Sequence, residues 1–414
     1  MQYGCIAERL GHSFSPEIHA CLGSYGYELC ELKPETVADF LEKRDFLGIN
    51  VTIPYKETVI PYLSQIDEQA KRIGAVNTVV NRGGRLYGYN TDFYGMQSLI
   101  ERLGLSLDHK KVAVLGTGGT SRTAVAVAES MGAKAVLRVS RTARDGAIDY
   151  EMLVREHRDT NIIINTTPCG MYPNPDCAAV ELDAFHSLEG VVDAVYNPLR
   201  PTLVLNAKRR GIAAEGGLYM LVAQAVRASE LFLDITYPKE TVERVYQRIL
   251  RKKENIVLIG MPSSGKSTVG RLLAERTGRT FVDTDELIVR AAGKSIPEIF
   301  SEVGEQVFRD LESRVIREQV SQSNALVIAT GGGAILRDEN VDALRRNGRL
   351  YFLDRPIEDL IPTDDRPLAS SREAIEERYR ERFPRYCSVA DARVSVSGDA
   401  EWVAREIEKE FFVE

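Results

Sequence analysis

The chain has 414 residues, more than one ordinary hydrophobic core can organise, which predicts roughly two to four domains. Its 44% hydrophobic and 27% charged residues are typical of a globular protein, and no stretch approaches the ~20 apolar residues of a membrane span. The net charge of −7 gives no reason to expect nucleic acid or an anionic membrane as a partner.

The first hundred residues alternate short apolar strands with helical patterns. One example is a strand over Leu47–Ile53 followed by a helical pattern over Thr58–Leu63. Ser15 and Pro16 are typical of a helix start, with Ser15 as the N-cap and Pro16 at the first helical position. The alternation predicts an α/β domain.

A second α/β region opens with an apolar strand at Val112–Leu115, which runs into the glycine turn 116–119 and a helical pattern at Arg122–Met131. This order is typical of a dinucleotide-binding fold. The turn is not a strict Gly-x-Gly-x-x-Gly, however, and a plain glycine turn fits nearly as well. The alternation continues to Val191–Tyr196, and Leu218–Leu233 is apolar at helical spacing, which suits a helix that packs back on the first region.

The strand at Ala135–Val139 ends in Ser140, Arg141 and Thr142. An NAD enzyme normally carries an acidic residue at this strand end to hold the ribose hydroxyls, whereas an arginine favours the 2′-phosphate of NADP. A solvated surface arginine remains an alternative interpretation of Arg141.

The main domain boundary is predicted near residue 252. An amphipathic helix at Thr241–Leu250 is followed by a short polar joint at Arg251–Asn255, and a new strand begins at once at Ile256–Ile259. Residues 260–267 then read Gly-x-x-x-x-Gly-Lys-Ser, the spacing of a P-loop.

In such a loop the glycines let backbone N–H groups approach phosphates, Lys266 reaches the β/γ oxygens and Ser267 ligates Mg²⁺. The predicted ATP-binding residues are Gly260, Gly265, Lys266, Ser267 and Thr268.

Asp283 and Asp285 follow the strand Arg279–Val282, so two carboxylates two positions apart are expected to face the same side of a strand end. One can hold Mg²⁺ through water and the other can accept a substrate hydroxyl. Further polar motifs are Phe308-Arg309-x-x-Glu312, the glycines 331–333 after the strand Leu326–Ala329, Arg366-Pro367-Leu368 and Arg382-x-x-x-Tyr386.

Together these segments resemble shikimate kinase from about residue 254 to the end. The resemblance implies that Asp283 and Ser267 hold Mg²⁺ and that Lys266, Asp285 and Arg366 are catalytic, with Arg366 on the transferring phosphoryl group. The residues that it places on shikimate are Asp285, Arg309, Gly332, Gly333 and Arg382. The lid segment Leu360–Leu368 is shorter than is usual in the family and lacks the arginine usual near its start, which bears on adenine contacts and turnover.

The N-terminal half carries sharper motifs, in the order 11–16, 50–56, 74–78, 88–92, 165–171, 193–198 and 217–224. They resemble shikimate dehydrogenase across about residues 1–250. The resemblance implies that Lys56 and Asp92 form the catalytic pair. It assigns the substrate to Ser13, Ser15, Thr52, Asn77, Tyr196 and Gln224, and NADP(H) to Gly116, Gly118, Gly119, Ser140, Arg141, Thr142, Thr166, Gly217 and Met220. The segment Ile6–Arg9 departs from the Gly-x-Pro that the family more often shows, so we expect a local loop change there.

A lysine and a carboxylate in contact are suited to the reduction of a ketone. Hydride addition to a ketone leaves an alkoxide that needs a proton, which a lysine ammonium can donate. A carboxylate can orient that lysine and hydrogen-bond a neighbouring substrate hydroxyl.

The resemblances therefore predict an α/β chain in two parts. Residues 1–252 are expected to form a substrate subdomain (1–100 plus about 218–250) and a Rossmann NADP subdomain (101–217). Residues 253–414 are expected to form a P-loop domain of the nucleoside-monophosphate-kinase type.

The expected activities are reduction of 3-dehydroshikimate to shikimate with NADPH and phosphorylation of shikimate with ATP and Mg²⁺. The product of the first reaction is the substrate of the second, which supports both assignments. Two alternatives stay open: a first half that oxidises quinate as well, with NAD as the alternative coenzyme, and a ligand sensor without catalysis. The intact Lys56, Asp92, Lys266 and Asp285 argue against the sensor.

Cysteine usage and the start of the chain predict a cytoplasmic setting. Glu8 and Arg9 interrupt any apolar run at the start, so no signal peptide is expected. The cysteines are scattered with no Cys-x-x-Cys pair, which favours buried, reduced thiols over disulfides or metal ligands. They are Cys5, Cys21, Cys30, Cys169, Cys177 and Cys387.

Overall fold

The computed structural model describes residues 1–11, 13–362 and 371–412. These residues form two compact units, Met1–Ile249 and Leu250–Glu414. Arg366, to which a catalytic role was assigned above, lies outside the described residues, as does the lid segment beyond Pro362.

Unit one begins with a mixed sheet in the strand order β2-β1-β3-β5-β6-β4. Its strands are β1 (Tyr3–Ala7), β2 (Tyr27–Glu31), β3 (Gly48–Val51), β4 (Gln65–Ile66), β5 (Thr78–Arg82) and β6 (Arg85–Tyr89), and its helices are α1 (Ser15–Ala20), α2 (Pro34–Lys43), α3 (Glu68–Ile73) and α4 (Thr91–Arg102). β1 is parallel to β2 and β3, whereas β5 pairs antiparallel with β3 and β6. The carboxyl ends of β1 and β3 therefore meet at one edge.

Two local predictions for this region are wrong. Ser15 is the first residue of α1 and not its N-cap. Phe14 holds the N-cap position, and no side chain caps the helix. The helical pattern at Thr58–Leu63 is only a 3₁₀ turn at Ile60–Tyr62. Pro61 explains this short turn, because it has no N–H to donate and restricts the residue before it.

The second sheet of unit one is parallel throughout and has the order β12-β11-β10-β7-β8-β9. Its strands are β7 (Lys111–Leu115), β8 (Ala135–Ser140), β9 (Ile148–Asp149), β10 (Ile162–Asn165), β11 (Gly190–Asp193) and β12 (Ala213–Glu215). The helices that follow α4 are α5 (Gly119–Ser130), α6 (Tyr150–Glu156), α7 (Thr202–Arg209), α8 (Leu218–Leu233) and α9 (Thr241–Lys253). Strands buried on both faces explain the continuous apolar runs in the sequence.

Helix α8 packs on both parts of unit one. Near its start it runs so close to α4 that a methyl group on Gly95 would lie 2.6 Å from the Met220 carbonyl oxygen. Near its end, Phe232 joins Tyr3 and Val80 in a cluster beneath the first sheet. The helix therefore fixes the position of its own polar residues relative to that sheet.

The polar joint predicted at Arg251–Asn255 is also wrong, because α9 continues as a helix to Lys253. Unit two is a parallel sheet in the order β14-β15-β13-β16-β17. Its strands are β13 (Asn255–Ile259), β14 (Thr280–Asp283), β15 (Leu326–Ala329), β16 (Gly348–Asp354) and β17 (Ala392–Ser395), and its helices are α10 (Lys266–Thr277), α11 (Thr284–Ala292), α12 (Ile296–Val315), α13 (Asp338–Asn347), α14 (Arg372–Val389) and α15 (Ala400–Phe412).

The prediction that the cysteines are reduced thiols is wrong for one pair. Cys169 and Cys177 form a disulfide, and their Cα atoms are 5.4 Å apart. The loop after β10 turns back on itself through Gly170, whose φ is +90°. A separation of eight residues matches no cysteine motif, so only the turn reveals the pair.

The other four thiols are free, and only Cys5 is fully buried; Cys387 is exposed. In the part of the chain that the structure describes, no helix is both long and apolar enough to cross a membrane.

His19 is a buried imidazole in unit one. Its side chain has no exposed surface, Nδ1 lies 2.6 Å from the Tyr25 hydroxyl, and the ring stacks on Tyr27 at 3.8 Å. Burial lowers the pKa of His19 to about 3, whereas an unfolded histidine titrates near about 6.5. As pH falls below that value the unfolded chain binds the proton first, so the free energy of unfolding decreases.

We expect the free energy of unfolding of unit one to fall by about 2 kcal/mol between pH 7 and pH 5 through His19 alone. Urea unfolding followed by circular dichroism at the two pH values measures this, and His19→Gln should flatten the dependence. His109→Gln is the control, because the side chain of His109 is 88% exposed. If His19→Gln left the pH dependence of the free energy of unfolding unchanged, His19 would not be its source.

Candidate active sites

Lys56 and Asp92 are in direct contact. Lys56 Nζ donates to Asp92 Oδ2 at 2.5 Å, and the two side chains are 14% and 12% exposed. Lys56 comes from the segment after β3. Asp92 is in the first turn of α4, which the Asn90 side chain caps by accepting from Phe93 N. The positive end of the helix and the ammonium of Lys56 both attract the Asp92 side chain.

Asn77 and Gln224 are held next to this pair by Thr91. Asn77 Oδ1 accepts from Thr91 N at 2.7 Å, and Asn77 Nδ2 donates to Thr91 Oγ1 at 3.0 Å. Thr91 Oγ1 lies 3.3 Å from Gln224 Oε1 on α8. Gln224 Nε2 also donates to Leu221 O at 2.9 Å. Each of the two amide nitrogens thus uses one of its two N–H groups and has one left for a ligand.

Sequence reasoning missed Asn50 and Tyr27, which extend this network. Asn50 Oδ1 accepts from the Tyr27 hydroxyl at 2.7 Å, and its Nδ2 donates to Thr78 Oγ1 at 3.0 Å. Asn50 is only 7% exposed, within the otherwise apolar strand β3. A polar residue inside a buried apolar run is the signal that could have identified it.

The remaining predicted substrate residues of unit one lie on loops around the pair. Ser13 Oγ donates to Ser15 Oγ at 3.1 Å. Phe14 meets the ring of Tyr196 edge-on, with centroids 5.3 Å apart, and burial raises the pKa of Tyr196. Thr52 N donates to Ile6 O at 3.1 Å, which holds Thr52 at the end of β1. The segment Ile6–Arg9, where a changed loop is expected, continues the strand through Ala7.

The glycine turn after β7 fits a dinucleotide phosphate. Gly116 has φ +114°, and a methyl group there would lie 2.7 Å from Thr166 Oγ1. Gly118 and Gly119 open α5, and no side chain caps the helix. Its first backbone N–H groups are therefore available to an anion.

Residues that follow β8 form a short exposed connection. Ser140 ends β8, and Arg141 and Thr142 are exposed. Arg141 lies close to Tyr150, where its positive charge opposes the increase in pKa that burial causes in that phenol. An exposed arginine at a strand end can reach a phosphate, so this geometry is consistent with the NADP interpretation.

Gly217 and Met220 belong to the start of α8. A methyl group on Gly217 would collide with the backbone of Ala194, so only glycine allows this approach. Met220 is 7% exposed and packs in the core with Phe93 and Met96.

Asp193 supports this region and was also missed. Its side chain is fully buried, and Oδ1 accepts from Asn165 Nδ2 at 3.0 Å and from Val195 N at 2.9 Å. Burial raises its pKa to about 7. Asp193 thereby holds the turn that carries Tyr196.

The P-loop of unit two has the expected geometry. Gly260 and Gly265 have φ +150° and +94°, and Lys266 Nζ donates to the carbonyls of Gly260 at 2.9 Å and Met261 at 2.8 Å. Lys266, Ser267 and Thr268 form the first turn of α10. The loop is thus shaped for a polyphosphate.

Ser267 and Asp283 meet next to this loop, with Ser267 Oγ donating to Asp283 Oδ2 at 2.7 Å. A hydroxyl and a carboxylate oxygen are ligands that Mg²⁺ accepts together with water and substrate phosphates. Among the described residues no group of three or more His, Cys, Asp or Glu could hold a metal.

Asp285 is not on the strand as predicted. β14 ends at Asp283, which caps α11 by accepting from Asp285 N at 3.0 Å, so Asp285 lies in the first turn of the helix. The two carboxylates therefore point to different places, Asp283 to the P-loop and Asp285 into a separate cavity. That cavity is lined by Pro262, Asp285, Ile296, Phe300, Phe308, Arg309, Glu312, Gly331, Gly332, Gly333 and Arg382.

Two buried arginines give this cavity its charge. Arg309 is 8% exposed and Arg382 4%. Burial lowers the pKa of Arg382, and the nearby positive charge of Arg309 lowers it further. Arg382 Nη1 donates to Gly332 O at 3.2 Å, which ties it to the glycine turn. Two neighbouring guanidinium groups that repel each other favour a bound carboxylate.

Glu312 is the acidic partner that sequence reasoning left without a role. Its Oε2 accepts from Arg309 Nη1 at 2.8 Å, while its buried Oε1 has no hydrogen-bond partner among the described residues. Burial raises the pKa of Glu312. The spacing Arg309-x-x-Glu312 on a helix could have predicted this pairing.

Comparison with known proteins identifies unit one. The chain is 38% identical over 271 residues to a shikimate dehydrogenase (NADP(+)) from Clostridium perfringens, covering 60% of this chain and 97% of that protein. The chain belongs to the shikimate dehydrogenase family. The family model of the shikimate dehydrogenase substrate binding domain matches residues 5–79.

Two solved structures resemble unit one. A chorismate mutase/shikimate 5-dehydrogenase fusion protein from Clostridium acetobutylicum is 33% identical, with a TM-score of 0.57, over 60% of this chain and 96% of that one. Shikimate 5-dehydrogenase from Thermus thermophilus, solved in complex with NADP(H) and shikimate, is 28% identical, with a TM-score of 0.54, over 60% of this chain and 99% of that one.

The shikimate kinase family model matches residues 262–411, so unit two carries a shikimate kinase domain. The chain thus combines a shikimate dehydrogenase and a shikimate kinase, as the sequence predicts. The predicted α/β fold class is confirmed.

The Arg309–Glu312 pair generates a stability prediction for unit two. Glu312→Ala leaves a buried guanidinium without its main partner, which we expect to cost about 3 kcal/mol. Glu305→Ala removes a partner of the same arginine that is 47% exposed, and we expect it to cost less than about 1 kcal/mol. Unfolding in urea, followed by the fluorescence of the chain's one tryptophan, Trp402 on α15, measures both. Equal decreases in the free energy of unfolding would show that the buried Arg309–Glu312 pair contributes no more to stability than the exposed Arg309–Glu305 pair.

Proposed function

We propose that this chain catalyses two consecutive reactions. Unit one reduces 3-dehydroshikimate to shikimate with NADPH, and unit two transfers the γ-phosphoryl group of ATP to the 3-hydroxyl of shikimate. The observation that carries the proposal is the partly buried 2.5 Å contact between Lys56 Nζ and Asp92 Oδ2 in a chain that also holds a complete P-loop.

In this proposal residues 1–252 are the dehydrogenase and residues 253–414 the kinase, whereas the two compact units meet between Ile249 and Leu250. The partners are the small-molecule substrates.

In the first reaction, NADPH when bound supplies a hydride to the carbonyl carbon of the substrate. Lys56 Nζ donates a proton to the carbonyl oxygen, and Asp92 orients the Lys56 side chain through its hydrogen bond. Asn77 and Gln224 offer N–H groups to the ring hydroxyls, while Ser13, Ser15, Thr52 and Tyr196 surround the remaining polar groups of the substrate.

Cofactor choice rests on the loops of the second sheet. We assign the diphosphate of NADP to Gly116, Gly118 and Gly119, where the uncapped start of α5 offers N–H groups. We assign the 2′-phosphate of NADP to Ser140, Arg141 and Thr142. We assign its nicotinamide side to Thr166, Gly217 and Met220. The relative from Clostridium perfringens is named for NADP(+), which supports this choice.

In the second reaction, the cavity of unit two binds shikimate. Arg309 and Arg382 hold the carboxylate of shikimate with their guanidinium forks. Asp285 and the N–H groups of Gly332 and Gly333 hold its hydroxyls, and Asp285 accepts the proton of the attacking hydroxyl.

The P-loop brings the phosphoryl donor to this cavity. Lys266 neutralises the phosphate oxygens, and we assign the same role to Arg366 from the resemblance to shikimate kinase. Ser267 and Asp283 would hold Mg²⁺, which would stabilise the charge that develops during transfer.

The direct test is mass spectrometry of the products formed when the purified full chain meets 3-dehydroshikimate, NADPH and Mg-ATP. We expect shikimate 3-phosphate, which requires both activities. Shikimate alone would overturn the kinase assignment, and unchanged 3-dehydroshikimate would overturn the dehydrogenase assignment. Adding shikimate with Mg-ATP tests the kinase half by itself.

Matched substitutions separate the two sites. Lys56→Met should lower dehydrogenase turnover by at least about 10²-fold, because the alkoxide loses its proton donor, and should leave the kinase rate unchanged. Lys266→Met should do the reverse. Coupled assays of NADPH oxidation and ADP release measure the two rates, and each variant is the control for the other. A substitution that slowed both reactions equally would contradict separate sites.

A further inference from the structure

Arg355 brings a guanidinium group to the P-loop, and neither proposed reaction assigns a role to this group. It follows directly on β16, which pairs in parallel with β13 in a register that sets Ile259 against Phe352. Because both strands run in the same direction, the end of β16 lies beside the start of the P-loop. The next side chain after β16 is therefore delivered to the nucleotide edge of the sheet.

The Arg355 side chain reaches the second glycine of the loop. A methyl group placed on Gly265 would lie 3.9 Å from Arg355 Nη1. Gly265 is the N-cap residue of α10, with φ +94°, and no side chain caps that helix. The guanidinium is thus next to the N–H groups that a P-loop presents to phosphates.

No carboxylate within residues 1–11, 13–362 and 371–412 forms an ion pair with Arg355. Its Nε is buried and has no hydrogen-bond partner among the residues that the structure describes. The adjacent carboxylate of Asp354 is occupied by others, since Oδ2 accepts from Arg393 Nε at 2.8 Å and Oδ1 from the Tyr379 hydroxyl at 3.3 Å. A buried donor without a partner is costly, so this group is suited to an anion that arrives from outside.

In the sequence after β16, Arg355 is the first basic residue and the next ten residues contain no other. Residues 356–365 contain no lysine or arginine, but they contain Glu358, Asp359, Asp364 and Asp365. Arg355 is therefore the cation that this connection supplies ahead of Arg366.

We propose that Arg355 binds phosphate oxygens of ATP from outside the P-loop, as a second cation opposite Lys266; this rests on the proposed kinase function. Lys266 is a point charge folded inside the loop, whereas a guanidinium offers a planar fork that can contact two phosphate oxygens at once. The fork stabilises the bound polyphosphate and compensates for the acidic connection that follows.

Isothermal titration calorimetry on the full-length chain, with ADP and with adenosine, tests the phosphate contact. Arg355→Gln should raise the Kd for ADP by about tenfold or more and leave the Kd for adenosine unchanged. Arg355→Lys keeps the positive charge but not the planar guanidinium fork, so its increase in the Kd for ADP should be smaller than that of Arg355→Gln. Arg271→Gln is the matched control, because Arg271 lies on α10 with a 59% exposed side chain paired to Glu286 and should bind ADP like the parent chain.

Kinetics supply the second readout. Arg355→Gln should raise the KM for Mg-ATP while the KM for shikimate and the dehydrogenase rate stay the same. An unchanged ADP affinity in Arg355→Gln would overturn the inference. Equal losses for ADP and adenosine would overturn it as well, because they would indicate a contact with the adenine ring or a general support of the loop. A parent chain that binds no ADP would instead overturn the proposed kinase function, so the two failures are distinguishable.

Discussion

Both units depend on one constraint of parallel sheets. Every parallel strand delivers its carboxyl end to the same edge, so residues far apart in the chain meet there without any need for long-range design. In unit two this edge gathers the P-loop after β13, Asp283 at the end of β14, the glycine turn after β15 and Arg355 after β16. In unit one the turns after β7, β8 and β10 meet in the same way.

Within this frame, two of the largely buried cations sit beside an opposite charge. Lys56 has Asp92 and Arg309 has Glu312, and in both cases the partners come from rigid elements or their ends. Such pairs contribute little to stability on balance, because desolvation offsets their attraction. What they provide is orientation: a lysine or arginine that is already held needs no further ordering when a substrate arrives.

The sequence predicted the fold class well because buried parallel strands read as apolar runs. The strand predicted at Leu326–Ala329 and the helix predicted at Leu218–Leu233 have those bounds in the structure. The failures share a cause, which is that local patterns do not encode tertiary contacts. The Cys169–Cys177 disulfide depends on a turn, and the switch from strand to helix at Asp283 moves Asp285 to another pocket. Asn50, Asp193 and Arg355 were missed because each acts through a neighbour that is distant in sequence.

The joint between β6 and α4 has a consequence for how this protein can change. Only Asn90 separates Tyr89, the last residue of the strand, from Thr91, the first of the helix. Asn90 caps the helix, Thr91 holds two amides, and Asp92 faces the lysine. Each residue advances an α-helix by about 100°. One inserted residue here would therefore turn the side chains of Asn90, Thr91 and Asp92 away from their partners. The Gly83-Gly84 turn of the same hairpin, by contrast, has open space around it. Length variation in this hairpin is thus tolerable at its tip and intolerable at its exit.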